Sequence, residues 1–175
     1  MDELGRVVIP KEIRRIMRIR QGDPLEIYTA PDGEIIFKKY SPVEDISETA
    51  AQFAEAAYKI YGCTVVVMDN DMVVACTGGA KKDTVEHKIS QEVKNLIDSR
   101  QLYIWRPSEN KIPVLEGKQG KYFAKTVMPI FSYGDIVGAV SVIAYDNLLY
   151  SPTEMEIKLT QTAAVFLGKQ VDNYN

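Results

Sequence analysis

The sequence predicts an α+β protein in two segments: a small β-rich one over residues 1–40, and an antiparallel sheet flanked by helices over residues 41–175. Three observations carry this. From Ser41 onward the order helix, strands, helix, strands, helix is that of a mixed α+β sheet. The signature Ser-Pro-x-Glu occurs twice, at Ser41–Glu44 and Ser151–Glu154, each time just before a helical pattern. Charge is also unevenly placed: residues 6–20 carry six basic side chains against the single acid Glu12, in a chain of net charge −3.

In the first segment Val7-Val8-Ile9 is an apolar β-branched run expected to be a strand. Pro10 suits a first helical position, Glu12 the first turn, and Ile13, Ile16 and Met17 form one apolar stripe expected to face the core. Gly22 stops the helix and Asp23-Pro24 turns the chain. Leu25–Thr29 and Glu34–Tyr40 then read as a hairpin around Pro31-Asp32-Gly33. Forty residues without a metal or a disulfide rarely sustain a core alone, so at least a dimer is expected.

Ser41 opens a helix ending at Gly62, with Val43, Ile46, Ala50, Phe53, Ala57 and Ile60 spaced three and four apart. Near the C-terminus Ile157, Thr160, Ala164, Leu167 and Val171 repeat that spacing. Both seams are short for a free coiled coil, and the expectation is a helical bundle packed on the domain and on a partner's copies, giving a tetramer. Between them, Thr64–Met68 and Met72–Cys76 form a hairpin around Asp69-Asn70-Asp71, and Thr84–Ser99 reads as a helix. Leu102–Trp105 and Ile112–Leu115 read as short strands, and Tyr122–Phe131 with Ile136–Tyr145 as a long hairpin, with the helices on one face of the sheet.

Composition narrows the function. With 46% hydrophobic and 26% charged residues the chain has the mix of a globular domain. Its longest nearly apolar run, Ile136–Tyr145, is too short to span a bilayer, and the N-terminus carries no secretory pattern, so a cytoplasmic protein without a membrane partner is expected. Cys63 and Cys76 are expected to be reduced, buried thiols. A lone His87 argues against a multi-histidine metal site, and no motif calls for a cofactor or metal. Thr77–Lys82 is glycine-containing but lacks the spacing of a phosphate loop. Tyr103 and Trp105 fit core packing better than a pocket wall.

Residues 2–10, Asp-Glu-Leu-Gly-Arg-Val-Val-Ile-Pro, then Lys11-Glu12-Ile13-Arg14-Arg15, Leu25–Tyr28 and Lys38-Lys39-Tyr40, resemble the AbrB family of DNA-binding transition-state regulators. The resemblance covers residues 2–40. It implies a swapped-hairpin module in which two chains interleave their strands into one dimeric unit that binds double-stranded DNA. By that resemblance Arg6 matches a DNA-contacting arginine, and Arg14 and Arg15 match the family's arginine pair. Lys11 and Arg18 are expected to contact phosphate, and Arg20 to be solvated or ion-paired. The family pattern places another strand, with a further basic contact, ahead of the position of Met1, and this chain is expected to lack it. The family also includes antitoxins of the MazE type.

The second segment resembles a GAF sensory domain, on Pro129-Ile130, Gly134 and Ile136-Val137-Gly138-Ala139-Val140. That implies an oligomerising unit and a small-molecule effector of unknown identity. The order of the two segments resembles that of regulators of late spore development, so a sequence-selective transcriptional regulator, not an enzyme, is expected. Two alternatives stand beside it: an antitoxin, whose tail would be short and disordered, and a thiol reductase using Cys63 and Cys76, brought near each other across their hairpin.

Overall fold

The computed structural model describes all residues except 1, 2, 18, 20, 23, 118–120 and 175. Two compact units make up the chain, Met1–Tyr40 and Ser41–Asn175.

In the first unit, helix α1 (Lys11–Ile16) starts directly after Pro10, and strands β1 (Leu25–Thr29) and β2 (Ile35–Lys39) pair antiparallel from Leu25↔Lys39 to Thr29↔Ile35. The turn works because Gly33 adopts φ +88°, a conformation only glycine enters freely. Two expectations fail here. Val7-Val8-Ile9 forms no strand, and Val8 is 82% exposed. Ile13, Ile16 and Met17 share a helix face, yet all three are exposed rather than in a core. The reason is common to both: no described residue of this unit is buried, so a single copy gives these residues no core to pack against. Part of the Asp23-Pro24 turn lies outside the described residues.

The second unit is built on a five-stranded sheet of order β4-β3-β7-β6-β5, with β3 Thr64–Met68, β4 Val73–Cys76, β5 Tyr103–Ile104, β6 Tyr122–Ser132 and β7 Asp135–Tyr145. All neighbours run antiparallel. The β6–β7 turn is two residues, Tyr133 at φ +47° and Gly134 at φ +88°, the twist that suits a tight hairpin. On one face lie α2 (Pro42–Asp45), α3 (Ser47–Tyr61) and α6 (Glu154–Tyr174), over a core of Val43, Ala50, Ala54, Val65, Val67, Ile130, Val140, Leu167 and Val171. The other face is covered as well, by α4 (Lys81–Thr84), α5 (Gln91–Asp98) and the segment around Val114-Leu115, over Val66, Met68, Ile89, Val93, Val127 and Ile143. Helices therefore flank both faces, not one.

Local chemistry explains the remaining departures. The helix expected from Ser41 breaks at Ile46 (φ −101°), although Ser41 caps it by accepting the Glu44 amide. The helix expected over 84–99 begins only at Gln91, capped by Ser90. Before it Val85 is extended and Glu86 is left-handed at φ +63°, because the Glu86 amide bonds to the Val73 carbonyl. Ile112–Leu115 makes single bridges rather than a strand, since Pro113 has no amide proton to donate. At α6 the capping pair is Thr153 and Glu156, not Ser151 and Glu154: the Glu156 amide bonds to Thr153 Oγ1 at 3.2 Å and the Thr153 amide to Glu156 Oε2 at 2.8 Å.

Candidate nucleic-acid interface

Arg6 sits in the irregular stretch before Pro10, and Lys11, Arg14 and Arg15 sit on α1, all exposed. On a helix, residues three and four apart share a side, so Lys11, Arg14 and Arg15 lie on one arc. Arg14 and Arg15 occupy the last turn, where cations favour the helix dipole. Helical side chains lean toward the helix N-terminus, and Arg14 folds back so that its Nε donates to the Ile9 carbonyl at 3.1 Å. That bond uses one donor of the fork and leaves the two terminal nitrogens as a bidentate edge suited to guanine or phosphate. Arg18 and Arg20 lie outside the described residues.

In the second unit the two apolar seams that suggested a bundle pack inward. Val43, Ile46, Ala50 and Ala57 of the first, and Thr160, Ala164, Leu167 and Val171 of the second, are buried against their own sheet. Ile60, at the end of the first seam, is 72% exposed. Along the flank of α6, Met155, Leu159, Thr162 and Phe166, spaced four, three and four, lie beside Phe53, of the first seam, and Tyr61 on α3; Met155, Thr162, Phe166 and Tyr61 are exposed, whereas Leu159 and Phe53 are half-buried at the edge of the core. Phe53 and Phe166 stack at 5.8 Å, and a groove of about 610 Å³ opens between the helices, edged by the Glu154–Lys158 ion pair. The signal for this stripe was present in the sequence, but its period equals that of the inward seam beside it, and the inward one is longer.

The covered opposite face has its own polar cluster. Tyr122 donates to Asp83 at 2.7 Å, Lys121 pairs with Asp83, and the Tyr122 and Tyr145 rings lie 5.0 Å apart. Burial, then the bonds to Asp83 and Tyr145, push the Tyr122 hydroxyl well above the usual phenol value. Trp105 is buried, as core packing requires. Cys63 and Cys76 are both buried, and burial pushes both thiols up. They lie in different cores, Cys63 under the long helices and Cys76 on the opposite face of the sheet, so the hairpin separates them rather than pairing them. Among the described residues no cluster of three or more His, Cys, Asp or Glu side chains could hold a metal ion, and no helix is long and apolar enough to cross a membrane.

A family model for the stage V sporulation protein T C-terminal, transcription factor, matches residues 45–172. One for antidote-toxin recognition MazE, bacterial antitoxin, matches residues 2–45. Stage V sporulation protein T of Bacillus subtilis (strain 168) is 40% identical over 172 residues, spanning 98% of this chain and 94% of that protein. The transition state regulatory protein AbrB of the same organism is 60% identical over 42 residues, which are 24% of this chain and 43% of its own. Among solved structures, the A. aeolicus nlh2 GAF domain in an inactive state superposes with TM-score 0.52 at 15% identity, over 76% of this chain and 93% of that one. Residues 122 to 287 of a methyl-accepting chemotaxis protein superpose with TM-score 0.55 at 13% identity, over 75% and 93%. These last two likenesses concern the fold alone.

The chain joins an AbrB-like unit to a unit of GAF fold, and the family model over the latter places it in a class of transcription factors. Within it, the chain belongs to the stage V sporulation protein T family of transcription factors.

Proposed function

We propose that the protein is a sequence-selective DNA-binding regulator of sporulation, working as a homo-oligomer in the cytoplasm. The observation that carries this is the first unit itself: it holds Arg6, Lys11, Arg14 and Arg15 in solvent and buries none of its own described residues. A unit that cannot make a core alone completes it with a second copy, and two copies double the basic surface offered to a duplex. Arg14 and Arg15 are its centre, with Arg6 beside them and Lys11 adding phosphate contact. Arg18 joins the same set as a further phosphate contact.

The second unit links such dimers. The flank where Met155 and Phe166 of α6 meet Phe53 of α3 is mostly apolar and opens onto the groove, and a second copy of the same flank is the occupant that matches it. The result is a tetramer, dimeric through residues 1–40 and joined again through the GAF-flanking helices. A small-molecule effector acting on the second unit would change the spacing of the two DNA-binding units. The folded character of residues 41–175 favours a regulator over an antitoxin with a disordered tail.

The test is anisotropy of labelled duplex DNA titrated with the full chain at two salt concentrations, beside Arg14→Ala/Arg15→Ala. The expected result is binding that weakens steeply with salt, about tenfold or more for several phosphate contacts, and is lost in the double variant. Binding that is unchanged in that variant removes the interface.

A further inference from the structure

Strand β6 carries a buried ion pair on an irregular stretch of backbone. Its pairing with β7 shifts register between Ala124 and Thr126, leaving Lys125 as the extra residue of a β-bulge. A regular strand sends neighbouring side chains to opposite faces. Here Ala124 and Val127 enter the core beneath α4 and α5, while Lys125 and Thr126 both reach toward α6. The bulge aims the Lys125 ammonium into the layer below the long helices, where it pairs with Glu156, the two side chains being 2% and 4% exposed.

Every polar atom of this contact is committed. Glu156 gives Oε1 to Lys125, and Oε2 accepts the Thr153 amide at 2.8 Å and the Thr153 hydroxyl at 3.1 Å. The Tyr150 ring covers the ammonium at 3.7 Å. Beside it runs a relay: the Val142 amide donates to Thr126 Oγ1, and Thr160 Oγ1 donates to the Glu156 carbonyl, so Thr126 supplies the proton of the 2.6 Å Thr126–Thr160 bond. The Lys125 carbonyl accepts the Trp105 amide at 2.8 Å, tying the bulge to β5 as well.

Stability alone is a poor reason for such a pair, because well-packed apolar residues of similar size do as well or better in its place. Register is a better one. The buried stripe of α6 is otherwise mostly small or aliphatic: Thr160, Ala163, Ala164, Leu167, Gly168 and Val171. Apart from Gly168, held against the Phe131 carbonyl near the far end, such a stripe discriminates weakly between neighbouring seatings at the start of α6, whereas a helix shifted or rotated there would bury Lys125 and Glu156 unpaired. Met155, exposed, stands one residue before Glu156, and Leu159, half-buried at the edge of the core, three after it. We propose that Lys125 and Glu156 are positioning residues that set the seating of α6 on the sheet, and with it the shape of the face through which copies assemble. This rests on the assembly reading above.

The experiment uses the full chain. Sedimentation velocity, thermal unfolding and amide hydrogen exchange are measured for the wild type, Phe166→Asp, Lys125→Met/Glu156→Leu and Lys125→Met/Glu156→Gln. The Met/Leu pair is expected to keep a cooperative transition at or above the wild-type midpoint. It should nonetheless sediment as a mixture of species, with exchange at residues 154–162 faster by about tenfold while β3 and β7 stay protected. A single wild-type species with wild-type exchange in that variant overturns the proposal. If Met/Leu alone does not fold, the Met/Gln pair is judged by the same criteria; loss of folding in both makes the pair a stability element and also overturns it. Phe166→Asp separates the two readings. A wild-type mass left unchanged by Phe166→Asp removes the assembly face and the proposal with it. A mass that falls for Phe166→Asp, with Met/Leu unchanged, removes only the proposal.

Discussion

A guanidinium is useful to a DNA-binding surface in proportion to how little it must be ordered on binding. Arg14 is partly ordered already, held through Nε by the Ile9 carbonyl with its terminal edge outward. Other titrating side chains report on the interior. Burial raises the Cys63 and Cys76 thiols above their ordinary 9.0, and burial, then the bond to Glu109, pushes Tyr103 up to about 12 from 10.0. In each case the folded state favours the protonated group. The contribution is therefore complete below the ordinary value and lost as pH rises, because the unfolded chain releases these protons first. Stability is expected to fall from about pH 9 to about pH 12, read as a falling urea midpoint across that window. A midpoint that is flat or rising there contradicts the burial of these groups. Rapid alkylation of either cysteine in the folded protein would contradict it too.

At the scale of the element, α6 is seated from both ends. Its start is tied by Thr153, Glu156 and Lys125, and toward its C-terminal end Gly168 lies against the backbone carbonyl of Phe131 with no room for a β-carbon. Gly168→Ala ordinarily gains helix propensity, about 1 kcal/mol. Here overpacking against a fixed strand reverses the sign, with an expected net loss of about 1–3 kcal/mol in urea unfolding. A variant as stable as the wild type would mean that α6 moves freely on the sheet. Elements also show where sequence patterns stop being informative. Ser41 as a cap and the β3–β4 and β6–β7 hairpins were legible because turn and cap chemistry is local. The helix over 84–99 and the cap of α6 were misplaced by contacts from elsewhere: the Val73 carbonyl holding Glu86, and Lys125 holding Glu156.

For the whole molecule, the two compact units meet at Tyr40–Ser41 and bury their residues very differently. Limited proteolysis of the full chain is expected to leave a resistant fragment beginning near Ser41, with the first unit protected only at concentrations where dimers persist. Rapid loss of residues 41–175 would instead fit an antitoxin tail. The family match over residues 45–172 and the relative spanning 98% of the chain agree with two units inherited together.

Sequence alone determined the two-unit α+β plan and the basic cluster of residues 6–20, and it led to the proposal that the first forty residues need a second copy. Those follow from composition and short-range patterns: turns, caps, charge spacing and a segment too small for its own core. Tertiary structure decided which way the helices face. A seam spaced three and four is the same pattern whether its cover is the chain's own sheet or another molecule. Only the packed fold shows Ala50, Ala164 and Leu167 inside and Met155 and Phe166 exposed on the flank beside them. It also decided that Lys125, alone in a run of apolar strand residues, is turned by a bulge to meet an acid thirty-one positions away. Neither a bulge nor a long-range partner leaves a periodic trace in the sequence, because each depends on which backbone happens to lie opposite.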